Sequence, residues 1–300
     1  MKSRPHNAPF AGRPPAELLA DLTRAAAGWR LLGIRVRHWQ PKSAPASLRE
    51  LAAGWETLSR GERESAWRAG SVWWSDLLPR LIAANRDDAA AGAMAITAER
   101  GLVNLTPLLV DALAHASAPR AEAAETALVE LAVDCCRAGV RADGAARAAA
   151  GVMIQELGRA LEHVDKHRRM RIAGAWLRLI GAFPAALGAA RAALTWLDDA
   201  NHPAVMVLRA RLRQEPGTLA LPAAWALLLE PAFTAAAAAR LVTLRPADPR
   251  MWLATECRAH LTPQRRALLR RAGRHVARSA LREHPLRGIF EIEMDERIAA

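Results

Sequence analysis

Apolar and polar positions along this chain follow the 3.6-residue period of amphipathic helices, and two stretches share the same punctuation. Leu77-Leu78-Pro79-Arg80-Leu81-Ile82 is followed by the polar Asn85-Arg86-Asp87-Asp88 and a second helical run. Leu105-Thr106-Pro107-Leu108-Leu109-Val110 then recurs in the same company, at a period of about thirty residues. A helix, a polar turn and another helix at that period predict units that bury their apolar faces by stacking on one another. The clearest units span Val72 to Gly139. A long helix pair is expected at Asp143 to Val164 and His167 to Ala182, with further pairs at Pro184 to Gln214, Leu219 to Thr243 and Asp248 to His284.

Start and stop signals fill in the rest. Residues 1–15 form a basic N-terminal arm, and Pro14-Pro15 open a first helix over Ala16 to Leu32. Gln40 to Ala46 is a Pro-containing linker. Ser47 with Glu50, and Ser59 with Glu62, have capping-box spacing, in which the serine hydroxyl accepts from a free backbone N–H and the glutamate reaches back. Residues 288–300 are an acidic C-terminal tail.

These units resemble HEAT repeats. That family joins an apolar first helix containing Leu-Leu-Pro to a turn with Asp, then places an Arg three and seven residues before small residues. Leu77, Leu78, Pro79 and Asp87 match the first half in one unit, and Arg120, Ala123 and Ala127 match the second half in the next. The first unit lacks the Arg, and the unit around Asp198-Asp199 and His202-Pro203 lacks the following alanines. The resemblance implies an all-α, right-handed superhelical solenoid of antiparallel helix pairs over residues 16–287. It also implies a scaffold that binds proteins, with rarer members acting on nucleic acid or attaching bilin chromophores. It transfers no catalytic residue and no cofactor.

Composition supports a helical chain with a core. Hydrophobic residues make up 52% and charged residues 24%, while aromatics are 5% with no Tyr, so alanine supplies much of the apolar content. Alanine favours helix, and the β-branched and aromatic runs that strands need are scarce. The three cysteines, Cys135, Cys136 and Cys257, are no disulfide framework and point to a reducing compartment, with the cytoplasm as the expected location. Met1 to Pro15 lacks the apolar core of a signal peptide. Pro216 to Ala239 carries Glu230 as its one charge, but Pro222 and Pro231 break it, so a buried helix pair turning near Glu230-Pro231 is expected rather than a membrane span.

The net charge of +12 gathers at the ends. Residues 258–287 hold nine arginines against Glu283, and Arg266, Arg270, Arg274, Arg278 and Arg282 fall at every fourth position. On one helix these form a winding ridge, with Leu268, Leu269, Ala272, Val276, Ala280 and Leu281 on the buried side. Arginine forks suit an acidic protein surface or a line of phosphates. With only Lys2, Lys42 and Lys166 as lysines, the same row equally fits a solvated cap. Lys166, Arg168, Arg169 and Arg171 make a second basic cluster that either extends a groove or solvates a turn.

Other chemistry is sparse. His163 and His167 on a continuous helix would direct two imidazoles at one metal, although a polar turn accounts for them as well. Cys135-Cys136 sit in the apolar run Leu131 to Cys136, which favours core thiols over reactive ones. Trp73 and Trp74, about 100° apart on a helix, predict one packed and one partly exposed indole. An exposed Trp near Asp76 would resemble the cleft of HEAT-like DNA glycosylases. No phosphate-binding Gly-rich loop, Gly-x-Ser-x-Gly elbow or paired-cysteine zinc spacing occurs. The expectation is a non-catalytic scaffold binding a protein partner, with a HEAT-like nucleic-acid-binding or repair protein as the alternative. No metal, cofactor or membrane span is expected.

Overall fold

A computed structural model of the chain describes residues 13–35, 44–84, 86–139, 144–244, 262–274, 276 and 284. Every regular element among the described residues is helical, with fourteen α-helices, three short 3-10 turns and no strand. The chain divides into two compact units, Met1–Leu131 and Ala132–Ala300, and the division falls inside α7 (Ala118–Gly139).

The first unit contains α1 (Pro15–Arg35), α2 (Ala46–Ala53), α3 (Arg60–Ala69), α4 (Trp74–Ala83), α5 (Asp87–Glu99) and α6 (Thr106–His115). α1 packs on α2 and α3, α5 on α2 and α4, and α4 on α6. Leu48, Leu51, Trp55, Leu78, Ile82, Met94 and Leu109 are fully buried. α2 and α5 approach closely because Gly92 has no side chain: a Cβ there would lie 1.8 Å from the Ala52 carbonyl oxygen.

Ser59 forms the expected capping box. Its hydroxyl accepts from the Glu62 N–H at 3.3 Å, and Glu62 Oε2 accepts from the Ser59 N–H at 2.8 Å. The Ser59 hydroxyl also donates to Glu62 Oε2 at 2.7 Å, and that bond, with the one from the Ser59 N–H, holds the Glu62 carboxyl below its ordinary pKa. Ser47 behaves differently: Pro45 is the N-cap of α2, no side chain caps it, and Ser47 lies buried inside the helix. The fixed φ of proline starts the helix two residues earlier than the serine signal.

Trp73 and Trp74 also depart from expectation, since they are 5% and 2% exposed. Trp73 is the N-cap of α4, so helical spacing does not relate the two rings. Trp74 stacks on Trp67 at 5.7 Å and meets Trp55 edge-on at 5.9 Å. The Arg100 guanidinium covers Trp67 at 4.9 Å and is paired with Glu64 at 2.9 Å, while the Trp55 indole N–H donates to Glu99 at 2.9 Å.

The second unit contains α8 (Gly144–His163), α9 (Lys166–Ala182), α10 (Pro184–Arg191), α11 (Pro203–Gln214), α12 (Gly217–Leu227), α13 (Thr234–Thr243) and α14 (Pro263–Gly273). α9 is its centre and packs on α8, α10, α11 and α12. Ile172 to Leu177, with Leu179 and Ile180, are buried around the helix, as an all-round apolar segment requires. The Trp176 indole N–H donates to the Ile154 carbonyl at 3.0 Å and ties α9 to α8.

α12 and α13 are the helix pair expected around Glu230-Pro231, and they pack on each other. No single helix among the described residues is long and apolar enough to cross a membrane, although α9 and α10 together pass that test with a 114° bend. Leu179 and Ile180 just before the bend are fully buried inside the protein, as are Ile172, Ala173 and Trp176.

Candidate functional site

Most of the basic residues whose contacts are resolved serve the fold. A helix leaves its last four carbonyls unpaired, and a guanidinium is a good partner for them. Arg120 Nη2 donates to the Ile82 carbonyl at 2.9 Å, Arg169 Nη2 to Val164 at 2.7 Å, and Arg240 Nη2 to Glu215 at 2.6 Å. Arg209 spans the Ala232 and Ala200 carbonyls at 2.6 and 2.9 Å. Arg240 is desolvated by this role, and burial lowers its pKa.

The cluster at the start of α9 follows the same logic. Asp165 is the N-cap and accepts from the N–H groups of His167 and Arg168 at 2.9 and 3.0 Å, which lowers the Asp165 pKa. Arg168 pairs with Asp165 at 3.6 Å, and Arg169 closes the turn onto Val164. Lys166 and Arg171 are exposed, and Arg171 makes a further contact. The turn separates His163, the last residue of α8, from His167 in α9, so the two imidazoles do not share a continuous helix. Among the described residues no three His, Cys, Asp or Glu side chains gather as a metal site.

The C-terminal arginine row is shorter on its helix than expected. α14 ends at Gly273, so it carries Arg266 and Arg270, Arg274 is its C-cap, and Arg278 and Arg282 lie outside the described residues. Thr262 caps the start by accepting from the Arg265 N–H at 3.3 Å. Arg265 stacks on Trp225 at 5.1 Å, an inward use of a cation that the four-residue spacing does not reveal. Leu269 is buried, and Leu268, Ala272 and Val276 are half-buried. Arg266 and Arg271 are exposed, whereas Arg270 and Arg274 each make further contacts.

The remaining candidates hold no reactive arrangement. Asp76 is paired with Arg80 at 2.8 Å on the surface, with no exposed indole beside it, so the aromatic-plus-acid cleft is absent at this position. Cys135 is buried and Cys136 half-buried; desolvation raises both thiols, with Cys136 pushed up to about 11.

A site that the sequence did not single out lies in the second unit, between α8 and the corner where α9 turns into α10. Phe183 ends α9, Pro184 occupies the first turn of α10, and the two helices meet at 114°. The corner exposes one face of α8 and leaves a groove of about 620 Å³. Ala148, Gly151 and Val152 form one wall, Ala185 and Ala189 the other, and Phe183 the floor. Val152, in that wall, is 42% exposed.

Arg147 and Gln155 are the polar side chains of this lining, which includes no carboxylate, imidazole, thiol or hydroxyl. Such a surface offers mainly apolar contact, with the Gln155 amide and with Arg147, which makes a further contact of its own. The volume falls within the usual range of ligand clefts, about 300–1,000 Å³. Gly151, in the α8 wall, leaves open space where a Cβ would lie. Comparison with family models, curated proteins and solved structures finds no match to the chain.

Proposed function

We propose that this chain is a HEAT-like α-solenoid and works as a non-catalytic scaffold that holds another protein in the groove between α8 and α10. The observation that carries the binding role is the groove itself: an open apolar surface with Val152 on its wall, Arg147 as its charge, and no reactive side chain in its lining. A partner segment that fits it is apolar on one face and acidic at its edge.

Two features support the solenoid. Helices pack on the next element and again on the next but one, as in α4 with α5 and α6, and α9 with α10 and α11. Two of the residues that carry the HEAT resemblance also meet: Arg120 lies 4.0 Å from Asp87, which accepts from the Ser117 hydroxyl at 2.8 Å. One guanidinium thus joins the turn of one unit to the helix start of the next.

Affinity capture from native lysate, with and without nuclease, tests the function. A partner retained after nuclease and lost with Val152→Arg supports it. Partners released by nuclease, or insensitive to Val152→Arg, favour the nucleic-acid alternative or another surface.

A further inference from the structure

α3, α9 and α14 begin with oxygen caps: Ser59, Asp165 and Thr262 each accept from a free N–H of the first turn. α11 begins with a histidine instead. The His202 ring Nδ1 accepts from the Ala204 N–H at 3.3 Å. Pro203 gives this bond its weight, because proline at the first helical position holds the preceding residue extended and has no N–H of its own. Ala204 therefore carries the first free donor of α11, and no acidic residue lies in that turn to take it.

An aromatic face backs the ring. His202 lies flat on Trp196, with centroids 5.7 Å apart and 16° between the planes, and buried Trp196 in turn meets Trp176 of α9 at 6.2 Å. The charged groups on the same turn are Asp198 and Asp199. Asp198 pairs with Arg191 of α10, which also pairs with Glu230 at 2.9 Å, and Asp199 accepts from the Asn201 N–H at 2.8 Å. Arg209, further along α11, donates to the Ala200 and Ala232 carbonyls. α8 approaches this stretch at Gly158, where a Cβ would lie 2.5 Å from the Leu194 side chain, beside the paired Glu156 and Arg159.

We propose that His202 is a pH-sensitive cap, which closes the first turn of α11 when its ring is neutral and releases it when the ring is protonated. Histidine changes charge between about pH 5 and 8. The neutral ring accepts at Nδ1 only as its Nε2–H tautomer. Protonation sets a second donor against the Ala204 N–H and a positive charge at the positive end of the helix dipole, so attraction turns to repulsion. The imidazolium still has a favourable place, on the electron-rich face of Trp196 and on a turn that carries Asp198 and Asp199. A proton thus exchanges a helix cap for a cation–π contact. Because the closed turn uses the proton-free ring, the cap is fully present at the upper end of that pH range and is lost as pH falls. Arg209 anchors the second turn of α11 to the Ala200 and Ala232 carbonyls, which confines the loosening to the first turn. The switch operates whether or not the groove binds a protein.

Residue-resolved NMR on the full chain, titrated from about pH 8 to about pH 5.5, tests the switch. At the upper end the imidazole nitrogen shifts of His202 should report the Nε2–H tautomer. Protection of the Ala204 amide against hydrogen exchange, corrected for the intrinsic rate, should fall about fivefold over the titration with the midpoint of the His202 ring, while the amide of fully buried Leu212 stays protected. His202→Asn, whose amide oxygen caps at any pH, should hold Ala204 protection constant, and His202→Ala should show the low value throughout. An Nδ1–H tautomer, Ala204 protection that ignores pH, the same loss in His202→Asn, or full protection in His202→Ala would each overturn the proposal. So would joint loss of protection at Ala204 and Leu212, which marks acid unfolding of the helix rather than release of its cap.

Discussion

Replacing Gly92 with Ala should destabilise the first unit, although alanine is the better helix former. The exchange gains about 1 kcal/mol of helix propensity. Against this, the new Cβ would sit 1.8 Å from the Ala52 carbonyl oxygen, 2.8 Å from the Ala52 carbonyl carbon and 3.3 Å from the Ala53 Cα. A normal carbon–oxygen contact is about 3.3 Å, so α2 and α5 must part by roughly 1.5 Å. The obstacle is backbone, which cannot swing aside like a side chain, and the movement loosens the packing of Leu48, Leu51 and Ala52, all fully buried. Overpacking costs about 1–3 kcal/mol and sometimes more; with a shift this large, Gly92→Ala should lose about 2 kcal/mol net. Gly28→Ala, in α1 of the same unit, is the control: its Cβ meets nothing within 4 Å, so it should gain about 0.5–1 kcal/mol. Urea unfolding, with hydrogen exchange to assign the transition to α2 and α5, measures both. Stabilisation by Gly92→Ala equal to that by Gly28→Ala would refute the close approach.

Removing the α9 cap with Asp165→Ala should cost about 1 kcal/mol. The folded pKa of Asp165 is lowered, so the cap's contribution is full above the unfolded value near 3.9 and fades as pH falls through the folded one. Urea melts should therefore show a constant wild-type advantage from pH 5 to 8 that shrinks below about pH 4. Cys136, with its thiol pushed up to about 11, and buried Cys135 should resist alkylation at pH 8 until the protein unfolds, as read by peptide mass spectrometry. Glu99→Ala should cost about 2 kcal/mol, because the buried Trp55 indole N–H loses its acceptor and Arg63 its carboxylate. A neutral outcome would mean that water replaces the carboxylate.

Local signals in the sequence locate the helices well. The α8 and α9 pair, the turn between α12 and α13, and the Ser59–Glu62 box all follow from periodicity and capping chemistry, and these act within a few residues. Failures occur where a neighbour overrides the pattern. Pro45 takes over the start of α2 from Ser47, and Trp73 sits at a helix start rather than on a helical wheel. A row spaced every fourth residue also assumes a helix long enough to carry it, and α14 stops at Gly273.

The destinations of the arginines were hidden for a different reason. Arg120, Arg169, Arg209 and Arg240 bind carbonyls brought near by folding, and no spacing rule encodes those pairings. Part of the +12 charge thus serves to clamp backbone carbonyls at helix ends and turns. The groove escaped for the converse reason, since it arises from the 114° corner between α9 and α10 and from alanine and glycine positions that attract no attention in a sequence already rich in them.

Photo-crosslinking from position 152 tests most directly whether the groove holds a protein. With benzoylphenylalanine in place of Val152 in the full chain, irradiation of nuclease-treated lysate should give a covalent adduct to one discrete, different polypeptide. The same label at exposed Ala239 on α13 should not give that adduct. No polypeptide adduct at 152, or the same adducts from both positions, would contradict the protein-binding groove.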